Sequence, residues 1–230
     1  MTTLRTQLEM NAALRTQYAA RSTLAPRLEE LRRWQAARLK RCYADLAADP
    51  RYARTVAFFI DEVYAGADLA PRDRDLRRAA GALERMLPKP ALATLVDAID
   101  LEIQTQRLDA TLAEALPPTG PLTAARYATA YAAAAPRSSR EAQLGAILAL
   151  GRALDGLVGR PGLGLLLKLT RAPAHAAGLM ALQGFLERGY AAFRDTGGAA
   201  EFLGIVAARE SQLLDRLYRG VADPFGDWAP

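Results

Sequence analysis

A chain of 230 residues, 51% of them apolar, is long enough to bury a sizeable core in one domain. Its one cysteine, Cys42, excludes an internal disulfide and any metal site built from several cysteines. A formal charge of +5, spread along the chain and interrupted by Glu29 and Glu30 in its densest basic run (Arg27 to Arg41), argues for a solvated helix face and against a nucleic-acid partner.

Residues 3–20 carry Leu4, Leu8, Asn11, Arg15 and Tyr18 at helical spacing. Glu9 and Asn11 break up any signal-peptide core there, which predicts a cytoplasmic protein. Pro26 suits the first position of a second helix, whose stripe is Leu28, Leu31, Gln35, Leu39, Cys42 and Leu46, with Trp34 beside it. The two segments predict an N-terminal helical hairpin or arm over residues 1–48 that projects from the body or mediates homo-oligomer formation. Asp49-Pro50 ends the second helix, because proline pushes the preceding residue out of the helical region.

A helical bundle is expected over residues 51–220. It begins with Tyr52, Val56, Phe59 and Val63 on one helix face, with Phe58 on its flank and Gly66 as the stop. Asp61 and Glu62 point elsewhere.

The run Phe58-Phe59-Ile60-Asp61-Glu62-Val63-Tyr64 resembles the signature Phe-Phe-Leu-Glu-Glu-Leu-Tyr of an uncharacterised bacterial all-helical family. Phe58, Phe59, Glu62 and Tyr64 match it; Ile60, Asp61 and Val63 depart conservatively. The likeness extends through Arg72-Asp73, Leu87-Pro88 and Leu108-Asp109 to Pro173-Ala174, Ala177-Gly178-Leu179, Leu182-Gln183 and Phe185-Leu186-Glu187. It implies a shared fold and no particular activity. Alanine runs and the scarcity of lysine (Lys40, Lys89 and Lys168 only) point to a GC-rich bacterial genome as well.

Pro71 opens a helix with Leu76, Ala80, Leu83 and Leu87 on one face, and Asp73 and Asp75 in its first turn suit the helix dipole. Residues 91–116 have two apolar stripes, one of Leu92, Leu95, Val96, Ile99 and Ile103, the other of Leu101, Leu108, Leu112 and Leu116. A helix apolar on two sides belongs in the middle of a bundle. Pro117 to Pro121 reads as a hinge-like break between two halves. A short helix over 122–133 follows, then one over 140–158 with Ser138-Ser139 as its capping signal. The most apolar zone, Leu144 to Leu169, is interrupted by Arg152, Asp155, Arg160 and Pro161, short of the ~18 apolar residues of a membrane span.

Pro173 starts a helix whose small residues (Ala177, Gly178, Ala181, Gly184) would admit another helix or a ligand; the last helix runs over 199–219. In the tail, 221–230, Phe225 and Trp228 are placed to pack on the body. The whole predicts an all-α, single-domain bundle of about eight to ten helices.

The candidate polar cluster is Asp61, Glu62, Arg72, Asp73, Asp97 and Asp100, and the candidate packing signature is Phe58, Phe59 and Tyr64. Helical bundles build metal sites from inward carboxylates, but the di-iron kind also needs Glu-x-x-His pairs. The sole histidine, His175, stands in no such motif. The favoured reading therefore pairs these acids with Arg54, Arg72, Arg74 or Arg107, with no catalytic residue, metal or cofactor assigned. Haem held by His175 with Met180 nearby is a further possibility. Gly159 to Gly164 lacks the P-loop lysine and is read as a turn. Glu210, on the apolar stripe of the last helix, is expected to be half buried and paired with an arginine, Arg188 being best placed. The function predicted is non-enzymatic binding of a protein partner, of the chain itself or of a small apolar ligand; the alternative is a carboxylate-based metal or haem protein.

Overall fold

The computed structural model describes residues 3–64 and 69–230; for Val63 and Tyr64 only the backbone is described. The expected packing of Val63 and Tyr64 and the stop at Gly66 fall outside these residues. Among the described residues the chain is all helical: α1 (Leu4–Ala19), α2 (Leu24–Cys42), α3 (Ala44–Ala48), α4 (Ala53–Ala57), a π-helical segment (Phe58–Tyr64), α5 (Ala70–Met86), α6 (Lys89–Ala115), α7 (Ala124–Ala134), α8 (Arg137–Val158), α9 (Leu163–Leu169), α10 (Arg171–Ala176), α11 (Met180–Asp195), α12 (Ala200–Tyr218) and a 3₁₀ turn (Gly226–Trp228).

The doubly apolar α6 is central, packed by α1, α2, α7 and α8. Its Ile99 and Ile103 join Leu4, Leu8, Leu76 and Leu182 in one apolar cluster. One turn-group further on, Leu112 and Ala113 join Leu31, Tyr127, Leu213 and Phe225 in another. A third cluster gathers Cys42, Tyr52, Val56, Phe193 and Phe202. Because α1 and α2 supply side chains to these clusters, they do not project as an arm; α1 closes one side of α5 and α6. The thin stripe of α1 suffices because its polar members find polar partners: Asn11 Oδ1 accepts from Gln106 and Arg15 reaches Asp73 (2.8 Å).

Several boundaries differ from the sequence expectation. Pro26 is the third residue of α2, which is interrupted at Tyr43 before α3. The break at 117–121 is fastened at both ends: Arg27 donates to the Leu116 carbonyl, Arg126 Nη1 to that of Thr119 (2.7 Å), and Glu30 accepts from the Leu122 amide. α8 begins at Arg137 with no side-chain cap, so Ser138 and Ser139 lie inside it. The helix expected from Pro173 is split into α10 and α11 at Gly178, whose φ of 66° ends the first piece.

The signature run departs from α-helical phase. In a π-helix the hydrogen bond spans five residues, so each turn is wider and the buried face rotates. Phe58 and Ile60 are buried while Phe59 is only half buried, the reverse of the flank and face expected of the two phenylalanines. Phe58 lies against Phe185 (5.2 Å between ring centres) and over Gly189, where a Cβ would come within 3.0 Å of its ring. Phe59 meets Phe193 edge-on at 5.7 Å.

Two late helices start without a cap of their own. Leu179 and Ala199 occupy the N-cap positions and offer no side-chain acceptor. Asp75 of α5 accepts from the amides of Ala181 (3.0 Å) and Leu182 (3.2 Å) instead, and Asp155 of α8 accepts from Ala199 (3.0 Å). A carboxylate at the positive end of each helix satisfies amides left without an intrahelical partner.

Candidate functional site

The six-residue polar cluster expected from the sequence is divided among four places. Arg72 and Asp73 are together: Arg72 Nε and Nη2 donate to Asp73 Oδ1 (2.8 and 2.6 Å). Arg72 Nη2 also reaches Glu102 Oε2 (3.2 Å), and Arg15 joins both Asp73 and Glu102. This quartet ties α1, α5 and α6, and the Arg72 guanidinium stacks on the Phe185 ring, 4.9 Å from its centre. Two cations meet two carboxylates there, so the charges balance across the three helices. Glu102 and Arg15 were not singled out in the sequence, since nothing local marks a pair made across 87 residues.

Asp61 pairs with Lys40 (2.9 Å), both largely exposed. Glu62 pairs with Arg188 (2.6 Å). Asp97 and Asp100 stay on the exposed side of α6; partial burial and then the nearby Asp97 push the Asp100 carboxyl upward. Among the described residues no group of three or more acidic, histidine or cysteine side chains could hold a metal ion. His175 and Met180 are both exposed.

Glu210 is half buried and ion-paired, as expected of a carboxylate on an apolar stripe, but its partner is Arg38 and not Arg188. Arg38 Nη1 donates at 2.6 Å and the Tyr43 hydroxyl at 2.8 Å to Glu210 Oε1. The antiparallel reading across the Gly197-Gly198 turn overlooked α2, whose Arg38 is the more deeply buried cation. Beside this pair, burial pushes the Cys42 thiol up to about 11, with the Glu210 charge adding to it. Such a thiol is a poor nucleophile. Arg209 donates two hydrogen bonds to Asp45 (2.8 and 2.6 Å) and holds that carboxyl down at about 2. Deeper still, Asp109 accepts from Gln35 Nε2 (3.3 Å), and burial raises its carboxyl above the usual range.

One apolar surface lies uncovered. α9, Leu163–Leu169, has no buried residue, and Leu165, Leu166 and Leu169 are 62, 55 and 66% exposed. At spacings of three and four they share a face. The helix starts at Gly162, whose φ of 87° turns the chain out of α8. α10 buries nothing either. α9 is held by α8, α10 and α11, with Gln183 donating to the Leu167 carbonyl (2.6 Å). Between α9 and α11 lies an open groove of about 300 Å³ lined by Leu165, Lys168, Arg171, Glu187 and Tyr190. Arg171 clamps Glu187 through two hydrogen bonds (2.5 and 2.8 Å). The sequence marks this segment as apolar, but hydrophobicity alone does not tell a core helix from an uncovered one.

Over residues 14–224 the chain matches the family described as a domain of unknown function (DUF8198), and it belongs to that family. No curated protein and no solved structure matches it.

Proposed function

We propose that this family member works by docking and not by catalysis, and that the leucine face of α9 is the surface that docks. The observation that carries the reading is a helix with no buried residue that nonetheless holds three exposed leucines on one face. Covering apolar surface is favourable by roughly 25 cal/mol per Å², so such a face gains free energy when a partner takes it out of water. The ionisable side chains support the same reading. Arg72, Asp73, Glu102 and Arg15 neutralise one another, and Glu210 is bound by Arg38 and Tyr43. The groove beside α9 is an open one, which favours a partner surface over an enclosed small apolar ligand.

The Phe58–Tyr64 run serves this arrangement as the family signature, because Phe58 seats α11, the helix on which α9 rests. A bacterial, cytoplasmic setting belongs to the proposal, supported by the lysine-poor composition and the single thiol. The test is a photoreactive benzoylphenylalanine placed at Leu166 in living cells, with one at the exposed Glu9 of α1 as control. An adduct at 166, with protein or with lipid, and none at 9 is the expected result; no adduct of either kind at 166 overturns the reading.

A further inference from the structure

Resting on that reading, we infer that the surface α9 docks against is an anionic lipid bilayer, with the leucines inserted and the surrounding cations on the headgroups. The argument is one of charge complementarity. From residue 141 to residue 187 the chain carries Arg152, Arg160, Lys168 and Arg171 against Glu141, Asp155 and Glu187; Glu187 is taken up by Arg171 and Glu141 by Arg137. Asp155 is already engaged, accepting from the Ala199 amide. Arg152, Arg160 and Lys168 are exposed and make no ion pair among the described residues.

A protein partner with an apolar patch would satisfy the leucines but would leave this one-signed rim unanswered. An anionic bilayer answers both, since interfacial helices combine an inserted apolar face with lysine and arginine at the headgroups. The hydropathy agrees. No single helix among the described residues is long and apolar enough to cross a membrane, but α8 and α9 together hold such a window and are bent 81° apart. That bend turns the second apolar piece across the end of the first, a geometry for lying on a surface. The groove beside Leu165 places Lys168 next to the inserting face, where a headgroup phosphate would sit.

The experiment uses the full chain and sedimentation with vesicles of phosphatidylcholine alone or with about a third phosphatidylglycerol, a level giving a strongly negative surface. Binding to the anionic vesicles only, weakened about tenfold or more by Leu166→Asp/Leu169→Asp and by Arg152→Gln/Arg160→Gln/Lys168→Gln, and weakened by salt, is the expected result. The altered positions are exposed, and the charge variant keeps every leucine, so a failure to fold in one variant leaves the other as the test. Equal binding to both vesicle types, or to neither, overturns the inference. A concentration-dependent dimer that Leu166→Asp/Leu169→Asp dissolves, with no vesicle binding, replaces the lipid by a second copy of the chain and leaves the docking reading standing. No vesicle binding together with no cross-link at position 166 removes both.

Discussion

α6 and α9 are both leucine-rich, and they meet opposite fates. α6 is surrounded by four helices, and three of its polar residues find partners on them or on α5: Gln106 with Asn11, Asp109 with Gln35, Glu102 with Arg72 and Arg15. α9 rests on one side only and leaves its leucines in water. Length explains part of the contrast. Twenty-seven residues offer apolar stripes on two sides of α6, whereas the seven of α9 make two turns, held by α8, α10 and α11 with the leucine face left uncovered. The difference is one of cover: polar groups buried along α6 find partners on other helices, while the apolar side chains of α9 stay in water.

The contrast breaks most visibly at the core. Phe225, 1% exposed, meets the stacked rings of Trp34 and Tyr127 edge-on at 5.2 and 5.6 Å. Phe225→Ala is expected to cost ~3–5 kcal/mol in urea denaturation. A loss under ~1 kcal/mol would show that the tail is no part of the core next to α6.

The next largest effect tests whether polar groups in the interior are truly structural. Arg38→Met strands the Glu210 carboxylate and should cost about 3 kcal/mol, while Arg38→Met with Glu210→Leu should return close to the parent. A double-mutant cycle reads the coupling directly. Coupling under ~0.5 kcal/mol would class the pair with ordinary surface ion pairs.

The same rule extends to pH, with two carboxylates of opposite sign. Burial raises Asp109, so the folded state holds its proton more tightly than the unfolded chain does. Its contribution is therefore fully present below the unfolded value and is lost as pH rises through the raised one. Hydrogen bonds from Arg209 lower Asp45, so its contribution is present above the unfolded value and is lost as pH falls through about 2. Asp109→Asn should flatten the decline of the denaturation midpoint above pH ~4, and Asp45→Asn the decline below it. Identical profiles for parent and Asp109→Asn would mean that Asp109 is not held neutral.

The smallest effect lies on α9 itself. Leu166→Ser should change stability by less than ~0.5 kcal/mol, as for other exposed positions. A loss above ~2 kcal/mol would mean that α9 is covered within the monomer, and the contrast with α6 would disappear.

Much of α6 was legible in the sequence, because two stripes at 3–4 spacing can mean little other than burial on two sides. The all-helical class and the tail's aromatic anchor were legible for similar reasons of period and composition. The partner of Glu210 was not. The stripe marked the carboxylate as buried, but choosing between Arg188 and Arg38 requires knowing that α2 lies against α12, a contact across 172 residues. Phase was lost at Phe58, since nothing in a run of apolar residues announces a π turn. The candidate acids were legible as acids and illegible as a group: Asp61, Glu62, Asp73 and Asp97 sit on helices whose mutual arrangement no local spacing encodes.

The caps lent by Asp75 and Asp155 bear on how the chain is made. Each lies upstream of the helix it caps, by 106 and 44 residues. During synthesis from the N-terminus, α5 and α8 are therefore complete before α11 and α12 emerge, and each late helix finds its acceptor already waiting. The order of translation and the order of capping coincide.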